Sequence, residues 1–372
     1  MVFYNKKYEV TFDDVLFLPN KVEFAMDDED KEVDTSVILG GKIKLKRPIL
    51  SSPMPGVTEV EMAIALAEMG GLGIIHSFQS FERQLEQVKK VKQKQLPVAA
   101  TVIDLREHTM NHIKDLVAAG LDLLVIYTYH SYDKNTLQFI RKVRKKYPNL
   151  ALSTGPIVTK EGTRAVIQAG ADIVNIGIGP GSHCTTRLVT GVGRPQLSAV
   201  EECAREAKKL KASIVSEGGI KYSGDIAKAI AFGADAVMIG GLFSGTYESP
   251  GDIIPFNGKP HKNSSGMCSI ESANLVHLQK HESGLIKKFN RIVTSLFGLK
   301  TQNASTNTNF LQEGISSLIP YKGSVKPMFE QLTGGLQRSM WYLGCRNLSE
   351  IKKKARVIMI SSNSNAENVP RV

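Results

Sequence analysis

Three near-identical joints constrain this chain most: Ala119-Gly-Leu-Asp122, Ala169-Gly-Ala-Asp172 and Phe232-Gly-Ala-Asp235. Each follows a helical pattern and precedes an apolar run. The glycine can end a helix in the left-handed conformation, and a strand then starts at once. The same unit recurs on either side of these joints. Strands are expected at 47–54, 72–76, 97–102, 122–127, 150–154, 172–177, 213–216 and 236–240. Helices are expected at 60–69, 81–94, 106–119, 135–146, 160–169, 199–210, 224–232 and 325–336. Strands that alternate with helices across short joints run parallel. Continuously apolar strands imply cover on both faces. Eight units favour a closed (β/α)8 TIM barrel over an open doubly wound sheet, as a single domain spanning 1–372. Its site is then expected on the loops that follow the strands.

Two regions break the rhythm, and the chain end reads as a tail at 358–372. Residues 1–46 read as an N-terminal extension. Residues 250–322 are too long for an ordinary connection before the last helix. They include the polar stretch Thr301-Gln-Asn-Ala-Ser-Thr-Asn-Thr-Asn309. Their place on the loop face reads as a flap over the site.

Composition narrows the class. No apolar run approaches the roughly 20 residues that span a membrane. Residues 1–7 carry no signal-peptide pattern, so a cytoplasmic protein is expected, with no membrane partner. Cys184, Cys203, Cys268 and Cys345 are far apart and form no Cys-x-x-Cys pair. Neither zinc nor a disulfide framework is expected. The net charge is +11. Much of the excess lies in Lys89-Lys-Val-Lys-Gln-Lys94 and Arg141-Lys-Val-Arg-Lys-Lys146, which read as outer helix faces. No aromatics interleave with these charges, which argues against nucleic acid as a partner.

The stretch Gly177-Ile-Gly-Pro-Gly-Ser-His-Cys-Thr-Thr186 points to chemistry. A glycine-rich loop can turn backbone N–H groups toward an anion, and this one adds a thiol. Donors on such a loop can lower a thiol pKa and raise its reactivity. Adjacent residues on an extended loop point apart, which weighs against His183 tuning Cys184.

The chain resembles the IMP dehydrogenase/GMP reductase family over nearly its whole length. The matching pieces, in order, are Thr11-Phe-Asp-Asp-Val-Leu16, Ser51-Ser-Pro-Met54 with Val57-Thr-Glu59, and Gly70-Gly-Leu-Gly-Ile-Ile-His76. Then come 177–187, Gly193-Arg-Pro-Gln196, Gly218-Gly-Ile220, Ser249-Pro-Gly251 and Tyr321-Lys-Gly-Ser-Val325. The resemblance implies a (β/α)8 barrel assembled as a homotetramer, a purine 5′-nucleotide as substrate and NAD or NADP as cofactor. It implies that Cys184 attacks purine C2, with Thr186 and Glu313 as a hydroxyl and acid that work together. It implies phosphate contacts at Ser182, Gly219, Gly240 and Gly241, and a ribose contact at Glu217 beside Gly218. Ser52, Met54, Gly266 and Met267 match residues around the nucleotide. Tyr127, Thr128, Gly177 and Gly179 match cofactor positions. Carbonyls of Gly177, Gly179 and Cys184 match a potassium site. In the dehydrogenase branch, hydride passes to NAD and the thioimidate is hydrolysed. In the reductase branch, ammonia leaves and NADPH delivers hydride.

Departures from the family pattern cluster at the chemistry. Glu217 stands for the ribose-binding Asp, Tyr127 for an Asp ending the fourth strand, and Asn175 for a basic residue. Gly155-Pro-Ile157 replaces Gly-Asn-Val, His183 replaces an aliphatic residue, and Pro55 replaces an Asp. Ser264-Ser-Gly-Met267 replaces Tyr-Arg-Gly-Met. The dehydrogenase's Arg-Tyr pair is missing from 250–322, and His76-Ser77 stands where the reductase carries a Lys. Glu313-Gly314 lies at reductase-like spacing from Phe310. Lys94-Gln-Leu-Pro97 runs straight into the third strand, so the pair of CBS modules common in dehydrogenases is absent. The overall pattern points to IMP dehydrogenase chemistry (IMP to XMP). GMP reductase is the alternative, and a nucleotide-binding homologue with altered substrate or little activity is a third reading.

Overall fold

A computed structural model describes residues 8–24, 33–267, 269, 272, 312–361, 364 and 367. Cys268, Phe310 and the 301–309 stretch lie outside them. Eight parallel strands close into a barrel: β1 (Ile49–Ser51), β2 (Leu72–Ile75), β3 (Ala99–Val102), β4 (Leu123–Tyr127), β5 (Ala151–Ile157), β6 (Ile173–Ile176), β7 (Ser213–Glu217) and β8 (Ala236–Ile239). They pair in chain order, and β8 closes on β1 through Val237 opposite Ile49. The surrounding helices are α1 (Val60–Glu68), α2 (Phe81–Gln93), α3 (Glu107–Ala118), α4 (Lys134–Lys146), α5 (Lys160–Ala169), α6 (Gln196–Lys209), α7 (Ser223–Ala231) and α8 (Val325–Tyr342). The expected TIM barrel is therefore observed.

The three joints explain why the units dock in register. Gly120, Gly170 and Gly233 take φ of 89°, 123° and 114°. Each following aspartate then reaches back to the preceding strand. Asp122 accepts the Val98 N–H at 2.9 Å, Asp172 the Leu152 N–H at 2.9 Å, and Asp235 the Ile214 N–H at 2.8 Å. One carboxylate thus satisfies a strand-start donor that no ladder partner serves.

Helix α4 accounts for the basic run at 141–146. Asp133 caps it by accepting the Asn135 and Thr136 N–H groups. Phe139, Ile140 and Val143 are buried, while Arg144, Lys145 and Lys146 complement the negative C-terminal end of the helix dipole.

The barrel has two apolar layers. One lies between strands and helices. The other fills the interior with Leu50, Ile74, Val125, Val215 and Met238, and includes Leu39, Ile43 and Leu45. Those last three come from an antiparallel hairpin, Val37–Leu39 with Ile43–Leu45. The Gly40 N–H donates to Ser213 Oγ at 2.9 Å, which fixes the hairpin across the N-terminal mouth. Part of the N-terminal extension is therefore a plug.

Regular structure continues past α8 as far as the first residues of the expected tail at 358–372. A helix, α9 (Leu348–Lys354), follows α8, and strand Arg356–Met359 pairs antiparallel with Val15–Leu18. Both ends of the 250–322 insertion form one sheet: β9 (Ile254–Phe256), β10 (Lys259–Ser265) and β11 (Ser316–Pro320), all antiparallel. No helix among the described residues is long and apolar enough to cross a membrane.

Candidate active site

Loops at the C-terminal ends of the strands enclose a cleft of about 660 Å³, within the range of small-molecule sites. Ser52, Met54, Ser182, Cys184, Thr186, Glu217, Gly218, Gly219, Gly240, Gly241, Gly266, Met267 and Glu313 all line it, together with Tyr127, Gly177 and Gly179. Of the residues expected from the sequence, Thr128 does not. Its N–H donates to Gly155 O at 3.2 Å and its hydroxyl pairs with Ser131 Oγ at 3.0 Å.

Close backbone approach shapes the floor. A Cβ at position 177 would lie 2.1 Å from the Glu217 carbonyl oxygen, so the loops after β6 and β7 meet only because Gly177 has none. A Cβ at position 241 would lie 2.5 Å from Ser182 Oγ. The Ser182 hydroxyl therefore sits against the loop after β8, in a cradle of backbone and hydroxyl without bulky side chains.

The thiol stands at the other end of the same loop. Cys184 S–H donates to Thr186 Oγ1 at 3.2 Å. Thr186 opens a short helical turn, Thr186–Thr190. Returning from the insertion, the chain pairs with this loop. Cys184 and Gly314 form an antiparallel bridge, the Thr185 N–H donates to Glu313 O at 2.9 Å, and the Ile315 N–H donates to His183 O at 2.9 Å. That pairing brings Glu313 to the thiol's loop. His183 turns away, its Nε2 3.0 Å from Ser317 Oγ and its Nδ1 3.2 Å from Ser182 Oγ. Burial lowers its pKa, which favours the neutral ring. Cys203 and Cys345 are buried, and burial pushes their thiols up to about 12 and about 11, so both are packing residues.

A cation already lies along the loop. Arg187 Nε donates to Ile178 O at 3.1 Å and its Nη2 to Arg194 O, and its side chain fills the space beside Gly179 and Gly193. Burial lowers its pKa.

The inner wall holds two polar residues that sequence reading did not connect. Tyr127 O–H, at the end of β4, donates to Glu217 Oε1 at the end of β7. Glu217 is 9% exposed and its Oε2 has no partner among the described residues. Burial raises its pKa to about 7, against the lowering effect of the Tyr127 bond. Below it, Asn175 Oδ1 accepts from Ser153 Oγ at 3.0 Å, while Asn175 Nδ2 is buried without a partner among the described residues. The sequence also gave no sign of the rim. Tyr129 and Tyr222 line it and are 68% and 70% exposed.

A family model described as the IMP dehydrogenase / GMP reductase domain matches residues 9–371. The chain belongs to this family. An inosine-5′-monophosphate dehydrogenase of Borreliella burgdorferi is 36% identical, covering 98% of this chain and 97% of that protein. Proteins of the same name from Bacillus subtilis and Methanocaldococcus jannaschii are each 31% identical and cover 98% of this chain, with 96% and 95% of their own lengths. The Bacillus subtilis alignment runs over 491 residues, against 372 here. That family member therefore carries residues without counterpart in this chain.

Proposed function

We propose that this chain is an NAD-dependent oxidoreductase acting at C2 of a purine 5′-nucleotide through Cys184, in the direction IMP to XMP. One observation carries the reading: a single loop sets Ser182 in a glycine cradle and Cys184 beside Thr186, in a cleft shared with Glu217 and Glu313. In this reading the phosphate meets Ser182, Gly219, Gly240 and Gly241. A sugar hydroxyl meets Glu217, with Gly218 allowing close approach. Ser52, Met54, Gly266 and Met267 flank the base.

Cys184 Sγ then adds to C2, and the thiol proton is taken up at the adjacent ring nitrogen N3. After hydride loss, water attacks C2, the C–S bond breaks, and the sulfur regains a proton. In this reading the Glu313 carboxylate accepts the proton of that water, with the Thr186 hydroxyl as relay. NAD, when bound, supplies the hydride acceptor. Gly177, Gly179, Pro156, Ile178 and Tyr129 line the cleft and fit a flat nicotinamide ring. Potassium fits less well. The carbonyls of Gly177, Gly179 and Cys184 would hold it beside the resident Arg187 guanidinium, and no step is assigned to it. Exposed Leu188 and Val192, next to the thiol's loop, are apolar surface that further copies would cover in a homotetramer.

GMP reduction with NADPH is the second reading. The specific observation in its favour is the missing Arg-Tyr dipeptide in 250–322. Absorbance at 340 nm decides. With IMP and NAD it is expected to rise. A fall with GMP and NADPH supports reduction instead, and no change in either leaves a binding protein. Cys184→Ala is expected to lower turnover by about 10³-fold or more. Retained activity would remove the nucleophile assignment.

A further inference from the structure

Residues 127 and 217 end β4 and β7, and both face the cleft. A carboxylate holds the two hydroxyls of a ribose most directly with one oxygen for each. In this chain a side chain already stands at one of them: the Tyr127 O–H donates to Glu217 Oε1. That bond is charge-assisted whenever the carboxyl is ionised, so a sugar hydroxyl does not displace it cheaply. The second oxygen, Oε2, is buried, belongs to a residue that lines the cleft, and has no partner among the described residues. A buried acceptor in that state is costly until a ligand donor reaches it.

We propose that Tyr127 turns Glu217 into a single-acceptor site, so that the chain grips only one of the two sugar hydroxyls. It then accepts a purine deoxynucleotide lacking the other hydroxyl nearly as well as the ribonucleotide. Tyr127 is thereby a specificity-determining residue that acts through Glu217. The proposal rests on the reading of Glu217 as the sugar contact. It adds a substrate class, the purine nucleotide with one sugar hydroxyl.

Isothermal titration calorimetry of the full chain with IMP, 2′-deoxy-IMP and 3′-deoxy-IMP tests the proposal. One deoxy analogue is expected to bind within about threefold of IMP, and the other to bind at least about tenfold more weakly. Tyr127→Phe frees Oε1 for the second hydroxyl. The tolerated analogue is then expected to fall behind IMP by about tenfold. A gain of discrimination on losing a side chain is not what loosened packing produces. If that variant fails to fold, the unaltered chain still decides through its two analogues. Equal loss of affinity for both analogues means both hydroxyls are held and overturns the proposal. No loss for either means Glu217 holds neither and also overturns it. Failure of IMP itself to bind removes the nucleotide reading, and this proposal falls with it.

Discussion

The two mouths of the barrel are built differently. At the N-terminal mouth, Leu39, Ile43 and Leu45 plug the interior, and Asp122, Asp172 and Asp235 each accept a strand-start N–H. At the C-terminal mouth, Glu217 Oε2 and Asn175 Nδ2 are buried without partners among the described residues, and Gly177, Gly179, Gly218 and Gly219 all hold positive φ. One end spends its residues on closure, and the other keeps unmet hydrogen-bonding capacity. Sites that violate local rules of polar satisfaction are where a ligand completes the structure. In a TIM barrel this division also lets the strand-end loops change while the closed end keeps the fold.

The comparison can be broken first at the plug. Leu39 is fully buried. Leu39→Ala is expected to cost about 2–5 kcal/mol of stability, while the nucleotide KM stays within error. Urea unfolding and steady-state kinetics read the two. A changed KM with unchanged stability would mean that the mouths are not separate.

Glu217→Gln tests the opposite mouth. The carboxyl titrates at an ordinary 4.5 when unfolded and at about 7 when folded. Between those values the folded state holds a proton that the unfolded state has lost. Stability from this group therefore falls as pH rises from about 4.5 to 7, and above 7 the deficit is on the order of 3 kcal/mol. Removing the charge is expected to stabilise the unliganded chain by up to about that amount at pH 8 and by nothing at pH 4. Unfolding midpoints at both pH values check it. Equal midpoints at pH 8 would show that the carboxyl carries no burial penalty.

The finest test is at the glycine cradle proposed to hold the phosphate. Gly241→Ala places a Cβ 2.5 Å from Ser182 Oγ, which must move. Nucleotide binding is expected to weaken by about tenfold, or about 1.4 kcal/mol, with little change in Tm. Unchanged affinity would show that the Ser182 hydroxyl does not face the phosphate.

Much of the fold was readable in the chain. Gly120, Gly170 and Gly233 announced helix ends, and the apolar runs between them announced buried strands. The aspartate after each glycine was visible too, but its role was not, because its partner N–H lies about one repeat earlier in the chain. Strand Arg356–Met359 was missed for a related reason. Val357-Ile358-Met359 is a short apolar run, but all four strand residues are exposed rather than packed in the core, and its partner Val15–Leu18 lies at the other end of the chain. In the cleft, glycine, Ser182 and Cys184 were legible because backbone approach and a thiol are properties of a short segment.

By itself, the sequence determined the repeating unit, the parallel barrel, and a loop able to hold an anion and a thiol. Those rest on local periodicity and local turns. The tertiary structure alone decided what Glu217 and Glu313 face. Tyr127 and Glu217 are 90 residues apart and meet because closure places the ends of β4 and β7 on one cleft. Glu313 reaches the thiol's loop because the returning chain pairs with Cys184 and Thr185. Long-range pairing of this kind leaves no signature in the spacing of either partner.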